Sequence, residues 1–110
     1  MVTAEIATAL PALALVLVAA VWAVFFAASQ LRCIDAAREA ARVVARGEET
    51  AVVRQVAQEL APEGAAVDVE RVDGTVTVRV SADVSMPGPV GGVLPAPTAR
   101  GEAVAWAEPE

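Results

Sequence analysis

The sequence predicts an α+β protein: a long N-terminal transmembrane helix that continues into a stalk, a short second helix and a small antiparallel β-sheet. Three observations support this prediction. The chain has a long uncharged apolar run near its start, an Ala- and Arg-rich segment directly after it, and two alternating valine-rich segments around an Asp-Gly pair. The chain therefore divides into a membrane helix at 1–31, a helical stalk at 32–47 and a small water-facing domain at 48–110.

The apolar run is long enough to cross a bilayer. No charged residue occurs between Glu5 and Arg32, which leaves 26 uncharged positions, almost all apolar. As a helix with a rise of 1.5 Å per residue, they would extend about 39 Å, against roughly 30 Å of hydrocarbon. A cleaved secretory signal usually has only about 7–15 apolar residues and a basic residue before them. We therefore expect a span that contacts membrane lipid.

Five residues stand out in this helix. Glu5 is a carboxylate at the edge of the membrane, where it is either functional or a headgroup-level acid favoured by the helix dipole. Pro11 lacks a backbone donor and either loosens the first turns or is simply tolerated, as prolines often are in membrane helices. Trp22, Phe25 and Phe26 lie in the later half of the run, so we expect them near one interface of the bilayer.

The stalk has two chemically different sides. Charged residues recur at intervals of three or four positions, and the other side carries small residues: Cys33, Ala36, Ala37, Ala40, Val43 and Val44. This spacing predicts a helix with one packed side, which ends near Gly47. Cys33 is the only cysteine in the chain. It is a candidate partner contact through acylation or crosslinking, or else a small packing residue.

A second amphipathic helix is predicted from about Thr50 to Ala61. Its apolar side consists of Val52, Val53, Val56, Ala57 and Leu60, and polar residues line the other side. Pro62 and Gly64 follow, as is typical of a helix end.

Asp73 and Gly74 predict a two-residue β-hairpin turn between two alternating segments. In this register Asp68 faces Arg79 across the two strands, which favours the pairing electrostatically. The valines then share the opposite face, in the pairs Val67 with Val80 and Val69 with Val78. Burial and charge therefore support the same register.

A proline- and glycine-rich segment, 85–101, follows the hairpin and is predicted to be a long loop. It contains four prolines and four glycines, and a loop of this length is uncommon in a small domain. Its apolar residues Val90, Val93 and Leu94 are expected either to anchor it over the sheet or to contact a partner. A last strand is predicted at 102–108.

The composition excludes several classes of chemistry. The sequence has no His, Lys or Tyr, so it lacks imidazole bases, Schiff-base lysines and His/Cys metal sites. We expect no enzyme activity, no cofactor and no small-molecule substrate. The net charge is −6, and the segment 48–110 has four arginines against eleven acids. That sign is opposite to what nucleic-acid binding requires.

The order of features in MVTAEIATALPALALVLVAAVWAVF is informative as a whole: an acid at the fifth position, a proline six residues later and a long apolar helix. This stretch resembles the N-terminus of type IV pilin-like proteins, most closely the TadE-like minor pilins of tight-adherence (Flp) pilus systems. The similarity continues loosely through LRCIDAAREAARVVARGE and the hairpin. It implies a pilin-like fold and a structural role in assembly of a pilus or a related secretion apparatus.

The resemblance also implies specific partners. A prepilin peptidase would cut just before Met1, and Glu5 would pair with the new amino terminus of a neighbouring pilin-like subunit. Other pilus assembly proteins would be further partners. The alternative is a single-span envelope protein that tethers a small binding module and joins no filament.

The orientation in the membrane is predicted differently by charge and by resemblance. Four arginines follow the apolar run within 32–47 and none precedes it, so the positive-inside rule places the C-terminal region in the cytoplasm. The resemblance places that region outside the cytoplasm. We expect a single-pass protein of the cell membrane with an extracytoplasmic C-terminal domain.

Overall fold

The computed structural model describes residues 2–86 and 88–106, and for residues 89 and 90 it describes the backbone. The elements are helix α1 (Val2–Ala45), helix α2 (Thr50–Leu60), strand β1 (Ala66–Val72), strand β2 (Thr75–Asp83), a short 3₁₀ helix (Pro89–Gly92) and strand β3 (Thr98–Trp106). The predicted α+β class is confirmed.

The globular part is a two-layer domain. Its three strands form an antiparallel sheet in the order β1-β2-β3, and the second half of α1 together with α2 covers one face. Among the described residues, the buried hydrophobic core contains only Cys, Ala and Val side chains. With such small side chains, the helix layer and the sheet must approach each other closely for the core to be filled.

The stalk helix has the packed side that its spacing predicts. All six small residues between 33 and 44 are buried. Gly47 follows the helix with φ of +83°, a left-handed conformation that glycine adopts at helix ends without a steric penalty. The predicted stalk and its end are both confirmed.

Helix α2 is confirmed with a narrower apolar face than predicted. Val53 and Ala57 are buried and Val56 is partly buried, but Val52 and Leu60 are exposed at 38% and 42%. The buried residues of α2, which are one turn apart on the same side of the helix, make its contact with α1 and β1. The two flanking residues point past that contact into solvent.

The hairpin has the predicted register. The pairs Val67 with Val80, Asp68 with Arg79 and Val69 with Val78 all occur in the β1–β2 ladder. Asp73 and Gly74 have φ of +48° and +80°, as a type I′ turn requires at both central positions.

The predicted boundaries of the loop and the last strand were wrong. Strand β3 begins at Thr98, so the connecting loop covers 84–97 instead of 85–101. Residues 98–101 extend the ladder with β2, in which Gly101 pairs with Val80. A Cβ on Gly101 would overlap the backbone of Cys33 and Ile34, so glycine allows this stretch to lie directly against α1. The predicted strand end at 107–108 is outside the described residues.

Candidate functional site

The first half of α1 extends away from the domain as an exposed apolar helix. We call Val2–Val21 the projecting segment, because all of its side chains are exposed. Its exposed large residues are Val2, Ile6, Leu10, Leu13, Leu15, Val16, Leu17, Val18 and Val21. The molecule is 77 Å long and about 20 Å wide. An apolar surface of this size is unfavourable in water and requires a covering.

Among the described residues, α1 is the one helix long and apolar enough to cross a membrane. The helix continues through Pro11. One turn earlier, the hydroxyl of Thr8 donates a hydrogen bond to the carbonyl of Ala4 at 3.0 Å, so this polar side chain is satisfied within the helix, as lipid would require. Glu5 is exposed near the free end. Met1 is outside the described residues.

The domain contacts α1 earlier than the predicted boundary at residue 31. The indole Nε1 of Trp22 donates a hydrogen bond to the backbone carbonyl of Val84 at 3.2 Å. The ring of Phe26 lies 6.0 Å from that of Trp22 and packs against the core, whereas Phe25 is 63% exposed. One side of α1 therefore contacts the domain from residue 22 onward, because the chain around Val84 extends beside the helix to that point.

Cys33 is a packing residue in this structure. Its side chain is fully buried, and its thiol lies 3.8 Å from the carbonyl oxygen of Ala99. Burial raises the pKa of the Cys33 thiol above its ordinary value. Of the two alternatives that the sequence left open for Cys33, the small packing residue is the one that the structure shows.

The loop at 84–97 exposes two of its apolar side chains to solvent. The amide of Val84 donates to the carbonyl of Pro97 at 3.0 Å and closes the base of the loop. Val93 is 83% exposed and Leu94 is 53% exposed, so neither of them anchors the loop over the sheet. The side chain of Val90 is outside the described part of the chain.

The sheet face that points away from α1 carries an ion-pair network around Arg79. Its guanidinium lies 3.1 Å from Glu70, 3.3 Å from Glu102 and 3.7 Å from Asp68. Its hydrogen bond to Glu70 raises the pKa of Arg79 most, and its hydrogen bond to Glu102 raises it further. The sequence predicted the partner Asp68 only, because Glu102 comes beside Arg79 through the β2–β3 register. No group of three potential metal ligands occurs within the described residues.

The two outer faces of the domain carry opposite net charge. The outer side of the stalk at 32–47 has four arginines and two acids, net +2: Arg32, Asp35, Arg38, Glu39, Arg42 and Arg46. The outer face of the sheet has four acids and two arginines, net −2: Asp68, Glu70, Arg79, Asp83, Arg100 and Glu102. Because the sheet packs on the opposite side of α1 from the arginines, these faces lie on opposite sides of the domain.

An apolar patch lies at the hairpin end of the sheet. Trp106 is 78% exposed, Val104 59% and Val72 52%. Val72 and Trp106 both pair with Thr75, so they lie in one row across the three strands. Val104 and Trp106 both lie on the outer side of β3. The sequence did not indicate that this side of the strand faces solvent.

The comparison with known proteins identifies a relative. No protein-family model matches the chain, and no solved structure matches it. A protein of Mycobacterium tuberculosis named "Apoptosis inhibitor Rv3655c" is 39% identical to it over 105 residues, which cover 96% of this chain and 78% of that protein. At this identity and coverage, the chain belongs to the family of Rv3655c.

Proposed function

We propose that this protein is a membrane-anchored, pilin-like structural subunit that acts in assembly of a tight-adherence (TadE-type) pilus or a related secretion apparatus. The observation that carries the proposal is the projecting segment, an apolar helix that the described part of the domain leaves exposed. Lipid covers it while the subunit is stored in the membrane. Helices of neighbouring subunits replace the lipid when the subunits assemble.

The length of the projecting segment supports storage in a bilayer. Its 20 residues extend about 30 Å as a helix, which equals the usual hydrocarbon thickness. The docked domain begins at Trp22 and therefore remains outside the hydrocarbon. The subunit is a single-pass protein of the cell membrane, and by resemblance to pilin-like proteins its domain is extracytoplasmic.

Glu5 provides the register of assembly in this proposal. A carboxylate near the free end of an apolar helix is costly in lipid or among apolar helices. Pairing with the amino terminus of a neighbouring subunit removes that cost at one relative position of the two helices. Prepilin peptidase would produce that amino terminus by cutting before Met1.

The opposite charge of the two domain faces supports assembly in one direction. If two copies paired symmetrically through the same face, like charges would be brought together. Contact between the basic face of one copy and the acidic face of the next is favourable. Such a head-to-tail contact leaves one face of each kind free and extends into an open array.

A second function is favoured by the patch of Val72, Val104 and Trp106. Its position at the hairpin end, remote from the projecting segment, suits a tethered module that binds another protein through an aromatic anchor. In that case α1 only tethers the domain.

Substitution of Glu5 separates the two functions. We expect Glu5→Gln to insert into the membrane normally but to enter filaments or subunit crosslinks at least about tenfold less, since loss of about 1.4 kcal/mol already has that effect. Glu63→Gln, an exposed acid after α2, is the matched control and should assemble normally. Normal assembly of Glu5→Gln would contradict the pairing role of Glu5, whereas absence of the wild-type chain from every filament would favour the tether.

Processing is tested on the same material. Mass spectrometry of the protein made from its native locus should find a mature chain that begins at Met1. An unprocessed chain that stays outside every filament would contradict the assembly proposal.

A further inference from the structure

The loop at 84–97 lies at the end of the domain from which the projecting segment leaves. Three contacts along α1 define this direction: Ala99 lies against Cys33, the amide of Arg100 donates to Gln30, and Val84 accepts from Trp22. From Cys33 back to Trp22 the helix covers about 16 Å. The start of the loop therefore lies nearer to the projecting segment than Ala99 does.

The opposite end of the sheet lies at the other end of the stalk. A surface depression there is lined by residues 44–49, which end α1 and lead into α2, and by residues 71–76 of the hairpin. The hairpin turn and Trp106 are thus remote from the projecting segment. The domain has one end that faces a membrane crossed by α1 and one end that faces away from it.

The composition of the loop suits a membrane interface. Its fourteen residues carry no charge, whereas the helix and strands around it are rich in Arg, Asp and Glu. Four of the fourteen are prolines, which have no amide proton that would be left unpaired in an apolar medium. The amides of Val84 and Gly91 donate to carbonyls within the loop.

Two apolar side chains of this loop are exposed. Val93 and Leu94 are exposed at 83% and 53%, which is unfavourable in water and favourable in the acyl region of a bilayer. Trp22 fixes the level of the loop start at about 30 Å from the start of the apolar helix. An indole with one polar and one apolar end is typical of the headgroup level.

We propose that the loop at 84–97 is a second membrane contact, in which Val93 and Leu94 enter the headgroup–acyl boundary of the leaflet from which α1 emerges. The occupant of this apolar surface is lipid. The inference rests on the proposed insertion of α1 into the membrane. A single helix leaves a domain free to rotate about the helix axis, and a second contact beside it restricts that rotation. The charged faces of neighbouring copies would then be presented at one level and in one direction.

The test uses the full chain in lipid nanodiscs with one copy per disc. In a Cys33→Ala background, an environment-sensitive fluorophore is attached at Leu94→Cys or, independently, at Val93→Cys. Both side chains are exposed, so the label displaces no core residue. We expect a blue-shifted emission, loss of quenching by aqueous iodide, and strong quenching by lipids with a nitroxide near the headgroup.

Two reference positions make the result decisive. A fluorophore at Asp73→Cys in the hairpin turn should be quenched by iodide and not by the lipid nitroxides. A fluorophore at Leu13→Cys in the projecting segment should be quenched by nitroxides deep in the acyl chains. Failure at Leu13 would overturn the proposed insertion of α1 itself.

If Leu13 is deep while Val93 and Leu94 are quenched by iodide as strongly as Asp73, the loop does not contact lipid, and this inference fails while membrane insertion stands. Protection of the loop only in discs that hold two or more copies would also overturn it, since a second copy would then cover the apolar residues. Protection in single-copy discs supports lipid as the occupant.

Discussion

The two halves of α1 use apolar side chains in opposite ways. In the projecting segment, Leu, Ile and Val side chains are exposed by 41–70%. In the stalk, the buried residues are Cys, Ala and Val, and each of them is at most 2% exposed. One uninterrupted helix therefore has its most hydrophobic residues outside the protein core and its small residues inside.

This difference shows that the hydrophobicity of a residue in α1 does not determine whether it packs in the protein core. A high hydropathy favours removal from water but does not specify which apolar medium replaces it. Small side chains on one helix face allow another backbone to approach closely, as β3 does at Gly101. Within α1, the size of the apolar residues therefore distinguishes the part that packs on the sheet from the part that projects.

The largest effect is expected where the stalk and the sheet come closest. Gly101→Ala would place a methyl group on the backbone of Cys33 and Ile34, which cannot rotate away. We expect the free energy of unfolding to fall by about 3 kcal/mol, the upper part of the range for overpacking, in denaturant titrations of the full chain in micelles. Gly92→Ala is the control, because the space around it is open. An unchanged midpoint for Gly101→Ala would show that the helix and sheet are not in close contact.

A matched pair of substitutions compares the two halves of α1 directly. Ala40 is fully buried and Ala14 is exposed. Ala40→Leu should destabilise the domain by about 2 kcal/mol through overpacking, measured by chemical unfolding. Ala14→Leu adds the same atoms to the projecting segment and should leave domain stability unchanged. Equal losses from the two variants would contradict the division of α1 into a packed and an unpacked half.

Much of the fold could be predicted because its periodicities are local. The hairpin register follows from alternation around Asp73-Gly74, and the packed side of the stalk follows from the spacing of its small residues. In both cases the partner residues lie within one element or across one short turn. Burial and charge there act on neighbours whose positions the sequence already specifies.

The remaining features depend on contacts between distant parts of the chain. Residues 98–101 read Thr-Ala-Arg-Gly, which has no valine alternation, and they form a strand because β2 extends beside them and Gly101 fits against α1. The hydrogen bond from Trp22 to Val84 joins residues 62 positions apart. The apolar run alone gave no sign that its last third contacts the domain, since lipid and protein accept the same residues.

The smallest expected effect is the pH dependence from Cys33. Burial of its thiol in the stalk raises its pKa above the ordinary value of 9.0. The unfolded chain therefore ionises at a lower pH than the folded chain and binds fewer protons in alkaline solution. Stability should be at its full value below pH 9 and decline as the pH rises above it, by at most about 1.4 kcal/mol per pH unit.

The composition makes this decline assignable to one residue. The chain has no Lys, Tyr or His, so Cys33 is the one side chain with an ordinary pKa between 7 and 11. Denaturant unfolding of the full chain at pH 7 to 10.5 should show the decline, and Cys33→Ala should remove it. Alkylation gives a second readout, since the native thiol should react only at the rate of opening. The contradicting result is a wild-type free energy of unfolding that varies with pH no more than that of Cys33→Ala, together with rapid alkylation of the native thiol. It would mean that the first turns of the stalk open readily. The packed half of α1 would then begin after residue 33.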